Sequence, residues 1–197
     1  MCGQYSFMMV KQQLLQRYPN TDISPTIQDD DREVYYPGQE NIILLPNNKF
    51  YEIQWGFIPT FAKRPIINAR LESILEKNLF IEPFKKKRCI IPATSFYEFE
   101  SIEGQHNKKR WRIRLDQSEI FSIAGICERF ITKENKSILT YSMLTKESTG
   151  QMADIHHRVP VILTKDLEER YLNLATNTLE LRNELMDVQS SLLFESL

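Results

Sequence analysis

Residues 42–53, Ile42-Ile43-Leu44-Leu45-Pro46-Asn47-Asn48-Lys49-Phe50-Tyr51-Glu52-Ile53, decide the fold class. Two short runs rich in β-branched and aromatic residues flank a turn-forming triplet, so the stretch reads as two strands joined by a hairpin turn. The pattern recurs downstream. Cys89-Ile90-Ile91 carries the signature of a strand buried on both faces, and 96–99, 111–115, 120–126, 138–144 and 159–163 are further strand candidates. Helical spacing covers residues 7–15 (Phe7, Met8, Val10, Leu14, Leu15), 71–80 before Pro83, 167–174 and 179–188. Strands with short turns, and helices gathered toward the chain's two ends, predict an α+β fold. The expected form is a single domain over residues 1–197, a curved, largely antiparallel, barrel-like sheet flanked by helices.

A chain of 197 residues can bury a real core, and 42% hydrophobic with 11% aromatic content describes a globular protein. No run of eighteen apolar residues exists, and the first residues lack a signal-peptide pattern, so a cytoplasmic protein without membrane contact is expected. The three cysteines, Cys2, Cys89 and Cys127, have neither disulfide-framework nor metal spacing. Cys89 and Cys127 sit in apolar runs and read as packing residues. Net charge is −1, but residues 63–114 hold 13 basic and 6 acidic side chains, while 165–197 hold 3 basic and 7 acidic. A basic middle against an acidic tail points weakly to phosphate binding; a solvated basic surface explains it equally well.

The chemistry begins at Met1-Cys2-Gly3. A cysteine in second place becomes the terminus once methionine is removed, and then carries an amine and a thiol that both titrate near neutral pH. Such a group can act as a terminal nucleophile on amides or condense with an aldehyde to a thiazolidine ring. Asn68 and Arg70 alternate in Ile67-Asn68-Ala69-Arg70 and so share one face of a strand. Glu98 is a carboxylate in an aromatic run, and His156 opens His156-His157-Arg158 before a strand. Each has an ordinary alternative: a backbone partner, a surface ion pair, a solvent-facing acid, a loop histidine. Trp55-Gly56-Phe57-Ile58-Pro59 reads as a core-edge loop, or as a stacking surface for a base.

Taken in order, Met1-Cys2-Gly3, Pro37-Gly38, Trp55 to Pro59, Asn68-Ala69-Arg70-Leu71-Glu72-Ser73, Arg88 to Phe99, Ala124-Gly125-Ile126 and Ile155 to Leu163 resemble the SOS-response-associated peptidase family, whose members shield abasic sites in single-stranded DNA. The resemblance implies a single-stranded DNA partner carrying an abasic site, a monomer, and no cofactor or metal. It implies that the Cys2 amine forms a Schiff base with the ring-opened sugar and that the thiol then closes a thiazolidine. Glu98 would shuttle protons, His156 would act on the sugar ring oxygen, and Asn68 would hold the Cys2 end. Arg70 would bind a flanking phosphate, with Pro37, Trp55 and Thr145 along the strand path. Peptidase action would amount to release of Met1. The sequence departs from the family pattern at Gln4, where an arginine is frequent, at Val34-Tyr35-Tyr36-Pro37, which lacks the asparagine of the family's turn, at Thr94, at Phe99 after the glutamate, and in the tail beyond Leu163. Two rival enzyme readings are a terminal-cysteine amidohydrolase and a thiol peptidase built on Cys2, His156 and Glu98. A noncatalytic single-strand binder is the third.

Overall fold

Hydrogen bonding closes five strands into a barrel in the computed structural model, which describes residues 2–7, 11–28, 32–101, 108–116 and 118–197. The chain begins with β1 (Tyr5–Ser6), α1 (Lys11–Arg17), β2 (Asp22–Ile23), β3 (Glu40–Leu45), β4 (Lys49–Trp55) and β5 (Asn68–Arg70). A 3-10 turn, Leu71–Ser73, precedes α2 (Asn78–Lys86), β6 (Arg88–Ala93), β7 (Ser95–Glu100) and β8 (Lys109–Leu115). Then come β9 (Phe121–Ile131), β10 (Ser137–Glu147), α3 (Gln151–Ile155), β11 (Arg158–Pro160) and β12 (Ile162–Leu163). The chain ends with α4 (Lys165–Leu172), α5 (Thr178–Asp187) and β13 (Leu192–Ser196).

The barrel runs β4-β3-β6-β9-β10 with antiparallel neighbours, and a parallel pairing of β10 with β4 closes it (Tyr141 opposite Trp55). Closure removes the edges that an open sheet would expose. The hairpin at 42–53 forms as its sequence predicts: Asn48 takes φ 57°, a left-handed conformation that asparagine tolerates, and its N–H donates to the Leu45 carbonyl. Gly125 on β9 is required by packing. A Cβ there would fall 2.9 Å from Cys89 Sγ and from Ile91 Cδ1. Cys89 and Cys127 are buried in this core as free thiols.

A second, antiparallel sheet of order β1-β7-β8-β13 lies alongside. Its last strand was not among those expected from the sequence. Leu192-Leu193-Phe194-Glu195-Ser196 lacks strict alternation, and it is fixed as a strand by pairing along β8 from Leu115 to Trp111.

The expected helix at 71–80 also differs. Only a 3-10 turn forms at Leu71–Ser73, and the helix runs instead from Asn78 through Pro83 to Lys86. Proline forfeits one backbone bond inside a helix, and burial of Pro83 and Phe84 against the barrel offsets that loss. Arg88 supports the same helix end. It is fully buried and donates to the carbonyls of Phe84 and Tyr171 and, at 2.7 Å, of Asn173, so one guanidinium serves the C-termini of both α2 and α4. The helix start at Met8 and Val10, the acidic triplet 29–31 and most of the polar loop 101–109 lie outside the described residues.

Candidate active site

The first residues run against the free edge of β7. Tyr5 and Ser6 pair with Phe96 and Ser95, and the Tyr97 N–H donates to the Gln4 carbonyl at 3.0 Å. Tyr5 anchors this segment. Its ring packs edge-on to Trp55 at 5.1 Å, and its hydroxyl shares a 2.6 Å hydrogen bond with that of Tyr141 and accepts from Asn41. Register therefore carries Cys2 beside Glu98. Cys2 is 1% exposed, its carbonyl accepts a 2.9 Å hydrogen bond from Asn68 Nδ2, and its thiol faces the Gln4 carbonyl at 3.5 Å.

Alternation along β7 puts Ser95, Tyr97 and Phe99 on one face and Phe96, Glu98 and Glu100 on the other. Glu98 is 3% exposed, and burial raises its carboxyl from 4.5 to about 7. The same effect acts on its neighbour: burial first, and then the charge of Glu98, push the Cys2 thiol up. His156 follows the end of α3, and its Nδ1 lies 3.9 Å from Glu98 Oε1. That separation is within ion-pair range, but burial works against the charged form of both partners. Desolvation lowers the imidazole below its usual value while it raises the acid. Nδ1 meets both backbone groups of Arg158, the N–H at 3.0 Å and the carbonyl at 3.3 Å; the shorter contact makes Nδ1 an acceptor and favours the neutral ring with its proton on Nε2.

Arg158 escaped the sequence reading. It is buried, forks onto both oxygens of Glu72 at 2.8 Å, and donates to the Thr145 carbonyl at 2.7 Å. It thereby ties β11, and with it the backbone that holds His156, to β10 and the 3-10 turn. For Glu72, burial alone would raise the carboxyl; hydrogen bonds from Arg158 and the Glu147 backbone outweigh it, and the net shift is downward. A carboxyl depressed on folding stabilises the fold fully above its unfolded value of 4.5 and loses that contribution as pH falls through the folded value. Glu72→Gln is accordingly expected to cost about 1–2 kcal/mol at neutral pH, with a deficit that shrinks in acid. Thermal melting across the acid range checks it, and an equal deficit at every pH would refute the pairing as its source.

The structure thus brings Cys2, Asn68, Glu98 and His156 together. Arg70 extends from the same edge strand as Asn68, two residues on, and is exposed; Pro37 is exposed in the turn before β3. Trp55 and Thr145 lie behind the site, each fully buried. Trp55 stacks on Tyr141 and donates to the Ile67 carbonyl at 2.9 Å, so its indole acts here as core and offers no open face. An aromatic that is open is Phe61, 75% exposed in a loop that also carries Lys63 and Arg64. Its signal was a large apolar residue among basic ones in the segment leading to Asn68. The basic run at 85–88 does not face the site as a patch. Arg88 is internal, Lys86 pairs with Glu82, and Lys87 pairs with Glu128. A cleft of about 790 Å³ lies on the Tyr97 side of β7 and is lined by neither Cys2 nor Glu98, so its size says nothing about the chemistry.

Fold and site together define a barrel protein with a cysteine at chain position 2, held between an asparagine and a carboxylate–imidazole pair. The chain belongs to the SOS response associated peptidase (SRAP) family, whose family model matches residues 1–195. It is 34% identical over 181 residues to the abasic site processing protein YoaM of Bacillus subtilis, covering 88% of this chain and 79% of that one. It is 25% identical over 146 residues to the abasic site processing protein HMCES of Rattus norvegicus, covering 57% of this chain and 41% of the other. A solved protein from Bacteroides thetaiotaomicron superposes with a TM-score of 0.82 at 25% identity, covering 98% of this chain and 91% of that one. No helix among the described residues is long and apolar enough to cross a membrane.

Proposed function

We propose that this protein processes abasic sites in single-stranded DNA by linking itself covalently to them through Cys2, after removal of Met1. The observation that carries the reading is the junction of Cys2 with Glu98, His156 and Asn68 in a chain whose relatives are named abasic site processing proteins.

The local acid–base balance sets the order of steps. With its thiol held protonated, Cys2 reacts first through its amine, whose lone pair attacks the C1′ aldehyde of the ring-opened sugar. Glu98, poised near 7, takes the amine proton and returns one to the departing hydroxyl, so water leaves and an iminium forms. The sulfur then adds to the same carbon and gives up its proton to the ionised carboxylate. Sugar, amine and thiol become thiazolidine plus one water. His156, neutral and protonated at Nε2, hydrogen-bonds the sugar ring oxygen during opening and lets Glu98 carry the proton. Asn68 fixes the Cys2 carbonyl, and hence the direction of the terminus.

Arg70 would take a flanking phosphate, with Pro37 and Phe61 along the strand path and Trp55 and Thr145 supporting from the interior. The protein acts as a monomer, needs no cofactor and works in the cytoplasm on this reading. The test is an intact mass after mixing with an abasic oligonucleotide: the sum of the two masses less one water is expected. A mass that never changes would remove crosslinking and favour the noncovalent single-strand binder; ammonia released from glutamine would favour the amidohydrolase. Against the thiol peptidase stands His156 itself, whose Nδ1 is engaged by the Arg158 backbone.

A further inference from the structure

We propose that Arg110 is a phosphate-binding residue of this site, gripping the DNA backbone on the side of the lesion opposite Arg70; the assignment rests on the crosslinking reading above. Arg110 sits near the start of β8, on the face it shares with Tyr97 and Phe99. Its guanidinium lies 4.2 Å from the centroid of the Tyr97 ring, and Nη2 donates to Gln4 Oε1 at 3.1 Å. Gln4 is two residues from Cys2. The Cys2 segment is therefore held from two sides: by Asn68 of β5, whose strand also presents Arg70, and through Gln4 by Arg110 of β8.

What sets Arg110 apart is an unspent charge. It is half-buried, its Nε is shielded from solvent without an acceptor, and no carboxylate among the described residues pairs with it. A guanidinium offers five N–H donors in a planar fork, and here a single side-chain acceptor among the described residues is met. A partly desolvated cation with so few partners is poorly compensated until an anion arrives, and a phosphate matches the fork. Lys108, exposed just before β8, adds positive charge close enough to act on His156.

The arginines that follow on the same face do not extend this into a track. Arg112 forks onto Glu195 at 2.6–2.9 Å and Arg114 reaches the same carboxylate at 4.0 Å. The cleft beyond them is lined by Glu33, Asp116 and Glu119 as well. The basic character stops at Arg110, so one phosphate contact is assigned here.

The experiment uses the full chain with single-stranded DNA carrying a tetrahydrofuran analogue, which has no aldehyde and cannot crosslink. Arg110→Gln should weaken binding about 5-fold and make the slope of log affinity against log salt shallower by roughly 0.7, the value for one contact to a single strand. Arg110→Lys should keep the wild-type slope while losing part of the affinity. Replacing single phosphates by neutral methylphosphonates should reveal one position that weakens wild-type binding and leaves Arg110→Gln unaffected. An unchanged salt slope together with unchanged methylphosphonate sensitivity overturns the assignment. If instead the wild type gives no heat-stable adduct with the abasic strand while the Arg110 slope is present, the crosslinking reading falls and the phosphate site stands.

Discussion

Cys2→Ala is expected to abolish the heat- and SDS-stable adduct with abasic single-stranded DNA completely. Two nucleophiles share this one residue. Alanine in second place still permits methionine removal and still supplies an α-amine, so an iminium can form. Without sulfur there is no ring closure, and the iminium hydrolyses back. Borohydride should therefore trap the variant on DNA, whereas gel analysis without reductant should show free protein. Cys2→Ser should behave in the same way, since a hydroxyl closes a less stable ring. The fold should tolerate either change. The thiol's contact to the Gln4 carbonyl is long at 3.5 Å, and the segment is anchored by Tyr5 and by backbone pairing with β7. Thermal melting checks that point. A heat-stable adduct from Cys2→Ala in the absence of reductant would end the thiazolidine assignment.

The sequence disclosed what local pattern encodes. The 42–53 hairpin was legible because Asn47-Asn48 and the flanking apolar runs agree with each other, and the buried strand at 89–91 because nothing polar interrupts it. Glu98 stood out because an acid inside Phe96-Tyr97-Glu98-Phe99 contradicts its surroundings, and such conflicts gather at functional positions. Nonlocal arrangements left no such trace. The Arg158–Glu72 fork joins residues 86 apart, and each looks like an ordinary surface charge when read along the chain. Trp55 and Phe61 lie six residues apart in one loop-rich stretch, and only the closing of β4 on β10 decides which ring is core and which is open. The helix shift toward Pro83 has the same origin. Its end is supported by Arg88, whose other acceptors belong to the end of α4.

Glu98→Gln is expected to slow crosslinking about 100-fold at neutral pH, the loss ordinarily seen when a positioned acid–base group is removed. Glutamine keeps the shape and the hydrogen-bonding reach, so noncovalent binding to the tetrahydrofuran strand should change little. The pH profile makes the assignment specific. Wild-type crosslinking should show an inflection near the carboxyl's value of about 7, and the variant should lack it. Stability should move the other way. A carboxyl whose folded value is raised stabilises the fold fully below its unfolded value of 4.5, and that contribution is lost as pH rises through about 7. Above that point the wild type carries a buried charge that the amide does not, so Glu98→Gln should melt higher than wild type in mildly alkaline buffer, and the advantage should vanish in acid. Slower chemistry combined with a firmer fold is the signature of a residue kept for its reactivity against the preference of its surroundings. A variant that lost stability equally at all pH values would place Glu98 among the structural residues and leave the proton transfers without a carrier.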